Sequence, residues 1–206
     1  MKLRQLEIQL QRCAGYRKPN VDREQYPTPA NLAARLLYDA FMQGDIKEKS
    51  ICDLGCGTGI LAIGAALLGA ALTRGIEIDP DAIRVAKENS VLLGADVEFI
   101  QADITEGIGV LDHSGPCDTV IMNPPFGAQR ANVHADRPFI DAALAIAPIT
   151  YGIFNVGSTP FVEAYLRGRG TISGKVSGCF AIKRSFAFHT CDSREIPIEI
   201  LKISRS

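Results

Sequence analysis

Apolar and polar residues alternate along the chain in blocks whose spacing predicts secondary structure. Residues 1–14 place apolar side chains at helical spacing and are followed by Gly15, which predicts a short amphipathic helix. Residues 15–27 are polar and irregular, and Thr28 with Pro29 after it predicts the N-cap and first turn of a second helix. From Ser50 onward, apolar runs of strand length alternate with helical patterns. The predicted strands are 51–54, 72–78, 97–102, 119–122 and 149–155, and the predicted helices are 60–68, 80–93, 138–147 and 160–169.

Strands that alternate with helices in this way predict a parallel sheet covered by helices on both faces. The C-terminal part differs, because residues 172–184 and 195–204 alternate apolar with polar positions and have no helical pattern between them. This predicts an antiparallel hairpin that closes the sheet. The expected fold class is therefore α/β: a Rossmann-like, seven-stranded, mostly parallel sheet with helices on both faces and a C-terminal antiparallel hairpin.

Composition limits the classes of protein that the chain can represent. Its 206 residues and 47% hydrophobic content suffice for one domain with a single large core. The net charge of −1 and the pI near 6.3 argue against a free-standing nucleic-acid-binding domain, so any contact with RNA would be local or shared with a partner. No apolar stretch reaches the ~20 residues that span a bilayer, and the first residues mix charges, so a cytoplasmic location is expected.

Cysteine and histidine residues show no metal-binding pattern. The six cysteines are scattered without a C-x-x-C pair, and the three histidines lack the spacing of metal ligands. The cysteines are therefore interpreted as reduced thiols, and no metal site is expected.

A glycine-rich segment follows the first strand of the alternating region. Asp53-Leu54-Gly55-Cys56-Gly57-Thr58-Gly59-Ile60 joins that strand to its helix, and glycine lets the backbone turn tightly and approach a ligand. Glu77 ends the next strand, twenty residues after Gly57, where a carboxylate accepts hydrogen bonds from ribose hydroxyls. With Asp103 at the end of the following strand, the segment predicts an adenosine-containing cofactor at the carboxyl edge of the sheet.

Two phosphate-binding fingerprints do not fit this segment. A dinucleotide fingerprint requires glycine where this chain has Ile60, and a phosphate loop requires lysine after Gly64, where this chain has Ala65. NAD and ATP are therefore less favoured as the cofactor.

The second motif is Asn123-Pro124-Pro125-Phe126, directly after the apolar strand 119–122. Two consecutive prolines fix φ and restrict the residue before them, so the Asn123 side chain and the Pro124 carbonyl become two preset acceptors. Phe126 offers a flat face on which a base can stack, a contact that contributes roughly 1–3 kcal/mol. All four residues are predicted to be catalytic and to hold a planar amine for direct, in-line group transfer without a general base.

Together these motifs resemble the class I S-adenosylmethionine-dependent methyltransferases that methylate amines. Glu24-Gln25-Tyr26-Pro27-Thr28, the run from Val120 to Gly127 and the pair Phe188-His189 are similar, more narrowly, to the methyltransferase-like protein 5 family, over nearly the full length of the chain. The resemblance implies S-adenosylmethionine as the cofactor and N6-methylation of adenosine in small-subunit ribosomal RNA. It also implies a heterodimer with a small zinc-binding methyltransferase-activator subunit.

The resemblance also assigns residue roles. Glu77 would hold the ribose and Asp103 the adenine amine. Gln25 and Thr28 would close over the cofactor. The full cofactor-binding set expected from the motifs and the resemblance is Gln25, Thr28, Asp53, Gly55, Gly57, Thr58, Gly59, Ile60, Glu77 and Asp103. The chain would then divide into an N-terminal helix and cofactor-covering segment, 1–30, and a class I methyltransferase domain, 31–206.

Contacts with substrate and partner are expected outside these motifs. The candidates for substrate are Tyr26, Arg130, Lys183, Arg184 and His189, with Arg137 as a further basic residue near the site. Basic residues fit a solvated face as well, and Tyr26 and His189 also fit structural roles. The apolar residues expected to be covered by the partner are Leu72, Ile76, Val97 and Phe99.

Three other functions fit the same motifs. An Asn-Pro-Pro motif also occurs in enzymes that methylate the amide of protein glutamine and in enzymes that methylate N2 of guanine in ribosomal RNA. A non-enzymatic alternative is an inactive cofactor-binding subunit, although the intact motif at 123–126 argues against inactivity.

Overall fold

The computed structural model describes residues 1–20, 24–106, 115–125, 135–183 and 193–206, and the side chains of residues 179–183 and 193–196 are outside this description. The predictions for Phe126, Arg130, Arg184 and His189 therefore fall outside the described residues. The helices are α1 (Leu3–Leu10), α2 (Ala30–Met42), α3 (Ile60–Leu67), α4 (Pro80–Leu93), α5 (Arg137–Ile146) and α6 (Thr159–Leu166). The strands are β1 (Ser50–Leu54), β2 (Leu72–Glu77), β3 (Glu98–Gln101), β4 (Thr119–Met122), β5 (Ile149–Asn155), β6 (Gly170–Lys183) and β7 (Ser193–Arg205), and a 3-10 turn covers Ile104–Glu106.

The strands form one sheet in the order β3-β2-β1-β4-β5-β7-β6. Strands β1 to β5 pair in parallel, whereas β7 runs antiparallel between β5 and β6. The predicted fold class and the C-terminal hairpin are confirmed. The strand order reverses direction between β1 and β4, the position at which open α/β sheets bind ligands.

Helices cover both faces of the sheet. On one face α1, α2 and α3 share a core with the sheet, in which Leu6 and Leu10 of α1 are almost fully buried. On the other face α5 and α6 pack against β4, β5 and β7. No helix in the described ranges is long and apolar enough to cross a membrane.

The pairing register of β1 with β2 and with β4 brings the ends of these three strands to the same level. Leu54 of β1 pairs with Ile76 of β2 and with Met122 of β4, so Gly55, Glu77 and Asn123 leave three neighbouring strands at the same height. The sequence could place these residues at strand ends, and the register now places them side by side.

Several predicted boundaries are corrected by one or more residues. The largest consequence is at Thr28, because α2 begins at Ala30 with Pro29 as its N-cap, and the Thr28 hydroxyl is bonded elsewhere. Helix α6 ends at Leu166 rather than at residue 169. The predicted apolar edge was partly wrong, since Ile76 is 1% exposed and belongs to the core, while Leu72 is exposed.

Candidate active site

A cavity of about 340 Å³ opens at the carboxyl edge of the sheet, beside the β1–β4 boundary. This volume is within the range of small-molecule sites. Predicted site residues that line it are Gln25, Tyr26, Thr28, Asp53, Gly55, Thr58, Ile60, Glu77, Asp103, Asn123, Pro124 and Pro125. Residues from the ends of β1, β2, β3 and β4 and from the segment 24–28 thus meet around one space.

The backbone conformation of the loop between β1 and α3 explains why the loop contains three glycines. Gly55, Gly57 and Gly59 all have positive φ, at 68°, 55° and 87°, a region that residues with a Cβ rarely adopt. A Cβ at Gly55 would lie 2.8 Å from the ring of Phe139, and a Cβ at Gly57 would collide with the hydroxyl of Tyr16. The backbone of this loop is therefore close to two aromatic side chains that also line the cavity.

Asp53 presents an unused acceptor to this region. Its Oδ2 accepts a hydrogen bond of 2.9 Å from the backbone amide of Ala62, whereas its Oδ1 is buried without a partner. Burial raises the pKa of Asp53 to about 8. A buried carboxylate oxygen without a donor is costly, so the geometry calls for a ligand that brings a donor or a positive charge.

Glu77 links the end of β2 to the glycine loop. Its Oε2 accepts from the amide of Gly57 at 2.9 Å, and its Oε1 accepts from the amide of Asp79 at 3.0 Å. Burial raises the pKa of this carboxyl group. Each oxygen keeps a second lone pair, so the carboxylate can still accept from hydroxyl groups of a ligand.

Asp103 also lines this cavity. Its Oδ1 accepts from the amide and the hydroxyl of Thr105, at 2.8 and 2.7 Å. The second carboxylate oxygen has no hydrogen bond within the described part of the chain, and Ile78 presents an exposed apolar face nearby. An apolar face beside an acceptor suits an aromatic ring that carries an amine.

The charge of the cavity selects the sign of its ligand. Glu24, Asp53, Glu77 and Asp103 line it, and the lining residues that the structure describes include no lysine, arginine or histidine. Such a wall favours a cation and disfavours the phosphates of NAD or ATP. S-adenosylmethionine carries a sulfonium and an ammonium group. The ammonium group could donate a hydrogen bond to Oδ1 of Asp53, which has no partner among the described residues.

The segment 24–28 is tied to both ends of the cavity. Gln25 is 5% exposed, donates from Nε2 to Oδ2 of Asp79 at 2.7 Å, and accepts at Oε1 from the amide of Asn20 at 2.8 Å. Both polar atoms of Gln25 are therefore engaged by the protein. Glu24 has φ of 49°, a left-handed conformation that is uncommon outside glycine.

At the other end of this segment, Thr28 fixes the side chain of Asn123. The Nδ2 group of Asn123 donates to Oγ1 of Thr28 at 2.9 Å, and Oδ1 of Asn123 is buried without a partner. No backbone amide of the described residues donates to the carbonyl of Pro124 in this loop. The motif thus offers two acceptors that receive no hydrogen bond from the described residues.

The cavity residues that were not predicted from the sequence include Tyr16, Ile78 and Phe139. Tyr16 lies in an irregular segment without periodicity, and Phe139 reads as an ordinary apolar position of a helix. Burial, together with nearby carboxylates, raises the pKa of Tyr16. Among the predicted substrate residues, Tyr26 lines the cavity and Lys183 ends β6, but the side chain of Lys183 is not described.

Comparisons with known proteins agree with this geometry. Residues 30–147 match the family model for the methyltransferase small domain. The chain is 39% identical to the protein MJ0284 of Methanocaldococcus jannaschii, over 100% of this chain and 95% of that protein. It is 35% identical to rRNA N(6)-adenosine-methyltransferase Mettl5 of Drosophila melanogaster, over 97% of this chain and 94% of that protein. The crystal structure of PH1948 from Pyrococcus horikoshii superimposes with a TM-score of 0.88 at 34% identity, covering 100% of this chain and 98% of that one.

These matches cover more than half of the chain in the family model and nearly all of it in the relatives. The cavity, its acidic wall and the register of its strand ends have the form that a sulfonium cofactor requires. The chain belongs to the methyltransferase small domain family, in the group that includes Mettl5, and is an S-adenosylmethionine-dependent N-methyltransferase.

Proposed function

We propose that this enzyme methylates N6 of adenosine in ribosomal RNA, with the small-subunit RNA as its substrate. One observation carries the proposal. The amide of Asn123 is anchored through Nδ2, while its Oδ1 is buried at the cavity without a donor. An acceptor held in this way is suited to an NH2 group on a planar ring. The full-length similarity to Mettl5 supports ribosomal RNA as the carrier of that group.

The cofactor would be held by residues that already point toward the cavity. Asp53 would take the ammonium group at its unpartnered Oδ1, Glu77 would accept from the ribose hydroxyls, and Asp103 would accept from the adenine amine. When bound, S-adenosylmethionine supplies a methyl group on a positively charged sulfur. The predicted division at residue 30 is kept as part of this proposal, with the segment 24–28 covering the cofactor.

The acceptor amine needs help from the protein because its lone pair is delocalised into the adenine ring. Oδ1 of Asn123 and the Pro124 carbonyl would each accept one amine hydrogen, which draws the nitrogen toward tetrahedral geometry and directs its lone pair at the methyl group. Positive charge that develops on nitrogen as the bond between the methyl group and sulfur breaks would be stabilised by the same two oxygens, and the surplus proton would leave to water after transfer. Since both oxygens are preset by the fold, most of the rate acceleration comes from position rather than from proton transfer.

The base must leave its stack before it can reach this loop. Enzymes that modify a base splay it out of the helix or act on a single-stranded region. The prediction that Phe126 stacks on the base, and that Arg130, Lys183, Arg184 and His189 contact RNA, remains part of this proposal.

A methyl-transfer assay on total RNA and on total protein tests the proposed substrate. Purified enzyme and methyl-labelled S-adenosylmethionine are incubated with each fraction, and the Asn123→Ala variant serves as the control for background transfer. We expect label in the small-subunit RNA with the wild-type enzyme and only background with the variant. Label in protein, released as N5-methylglutamine, would replace this proposal with the glutamine alternative.

We also propose that a small zinc-binding activator subunit covers the β3 edge of the sheet. β3 has four residues and lies at the end of the strand order, so its outer backbone groups face away from the sheet. Leu72 is 40% exposed, and Leu92 and Val91 near the end of α4 are 52% and 84% exposed. An enzyme that is monomeric and fully active alone, with no gain from the activator subunit, would refute this part.

A further inference from the structure

Arg137 begins helix α5 and, among the residues that the structure describes, lacks the polar partners that an arginine normally has. Its Nε is buried and has no hydrogen-bond partner. Within the described ranges, no carboxylate lies within 4.0 Å of its guanidinium, whereas Arg169 on the neighbouring helix end is paired with Asp141. A guanidinium has five donors in a planar fork, and because none of the described residues supplies an anion for it, Arg137 can bind an anion of a ligand.

Two aromatic rings hold the guanidinium of Arg137 in place. Its central carbon lies 5.4 Å from the ring centre of Phe161 and 5.4 Å from that of Tyr165. The two rings lie 5.8 Å apart at an interplanar angle of 23°. Cation–π contacts of this kind orient the face of the guanidinium, and its Nη groups donate no hydrogen bond to the described residues.

The nearest acid on the same helix face is already committed. Asp141 stands four residues after Arg137, at the spacing of a helical ion pair. Its Oδ1 accepts from Arg169 at 2.6 Å and its Oδ2 accepts from the hydroxyl of Tyr165 at 2.7 Å. Asp141 therefore fixes the ring of Tyr165, which supports Arg137. Because both of its oxygens are bonded to Tyr165 and Arg169, Asp141 does not neutralise Arg137.

Arg137 does not line the cavity itself, but it belongs to the segment that does. Ala135, Pro138 and Phe139, on either side of it in the sequence, line the cavity itself. The cavity wall is acidic, so a polyanionic substrate needs positive charge at its rim to approach the target base. The net charge of the chain is −1, and local cations must supply this attraction.

We infer that Arg137 binds a backbone phosphate of the substrate RNA next to the methylated nucleotide, held for this purpose by Phe161 and Tyr165. The inference rests on the proposed function, because it requires RNA at this cavity. A guanidinium that is oriented by rings can present its two Nη groups to a phosphate in bidentate geometry. Lysine could supply the charge but not this geometry.

The test measures binding of a labelled RNA. The probe is a fluorescein-labelled, single-stranded RNA of ~20 nucleotides that contains adenosine, because sequence-specific RNA recognition usually targets single-stranded regions. Its Kd is measured by anisotropy at several salt concentrations for the wild type, Arg137→Gln, Arg137→Lys and Arg4→Gln. Arg4 is exposed on α1, so its variant changes the net charge equally, away from the cavity. We expect Arg137→Gln to weaken binding about tenfold and to reduce the slope of log affinity against log salt by roughly 0.7, the value for one phosphate contact on a single strand.

Two further variants separate charge from geometry. Arg137→Lys keeps the salt slope but recovers only part of the affinity, because it lacks the planar fork. Phe161→Leu keeps every charge, so the slope stays at the wild-type value while affinity falls about threefold, since one cation–π support is lost. Cofactor affinity, measured by calorimetry, stays at the wild-type value in all variants and shows that the cavity is intact.

An Arg137→Gln variant whose affinity and salt slope match those of Arg4→Gln would overturn the inference, whatever the methyl-transfer assay shows. If the Arg137→Gln and Arg4→Gln variants bind alike but the wild-type enzyme methylates RNA, the role of Arg137 is refuted and the proposed function is not. Wild-type enzyme that neither binds the probe nor methylates RNA would remove both.

Discussion

Replacing Thr28 with valine removes the hydroxyl that accepts the Nδ2–H of Asn123 and keeps the branched shape of the side chain. The amide of Asn123 then loses the contact that holds its Oδ1 toward the cavity. Losing a neutral hydrogen bond costs about 0.5–1.5 kcal/mol, and a buried donor left unpaired costs about 1–3 kcal/mol. A loss of about 1.4 kcal/mol from the oriented state corresponds to a tenfold lower kcat.

Single-turnover methyl transfer to RNA measures this effect without interference from product release. We expect Thr28→Val to lower the rate about tenfold, while the Kd for S-adenosylmethionine and the KM for RNA change less than about threefold, because valine keeps the side-chain shape over the cofactor and the lost hydroxyl is the one that orients Asn123. Thr28→Ser keeps the hydroxyl and should restore most of the rate. Equal losses in the valine and serine variants, or no loss in valine, would refute the anchoring role.

The other predictions concern the cofactor side of the cavity. Because the pKa of Asp53 is raised to about 8, the free enzyme holds this proton at pH 7, and the cationic cofactor lowers the pKa on binding. We therefore expect binding at pH 7 to release close to one proton, about 0.9 by mass balance, and affinity to rise with pH up to about 8 and then level off. Calorimetry in buffers of different ionisation enthalpy measures the release, and Asp53→Asn should abolish it; a wild type that releases none contradicts the assignment. Gly57→Ala should cost about 1–2 kcal/mol of stability for its left-handed backbone and should also displace Tyr16 and abolish cofactor binding. Gly44→Ala, where φ is +82° and nothing lies within 4 Å, carries only the backbone cost and is the matched control, with thermal unfolding and calorimetry as readouts. Equal cofactor affinity in the two alanine variants would show that the contact with Tyr16 is irrelevant.

Local signals in the sequence were sufficient for most of the fold. Helix α4 was predicted with its exact limits because both ends carry strong signals, Asp79 as a bonded N-cap and Gly94 in a left-handed C-cap. The strand 119–122 was equally well bounded, since the prolines that follow cannot continue it. The glycine loop was predicted for the correct physical reason, as all three glycines have positive φ.

Contacts between distant segments could not be predicted. Thr28 has the features of an N-cap, yet its hydroxyl serves Asn123, ninety-five residues away in the chain. The contacts of Tyr16 with Gly57 and of Phe139 with Gly55 likewise depend on how separate elements pack. No local pattern records such pairings, so the sequence predicted an acceptor at residue 123 but could not predict the hydroxyl group of Thr28 that bonds its side chain.

The central claim is that the Asn123 amide and the Pro124 carbonyl grip an adenine amine in ribosomal RNA. The direct test is mass spectrometry of nucleosides from ribosomal RNA that has been treated with enzyme and isotope-labelled S-adenosylmethionine. The account predicts labelled N6-methyladenosine from small-subunit RNA, and none from the Asn123→Ala variant. Label in N2-methylguanosine, or undiminished N6-methyladenosine from the variant, would contradict it.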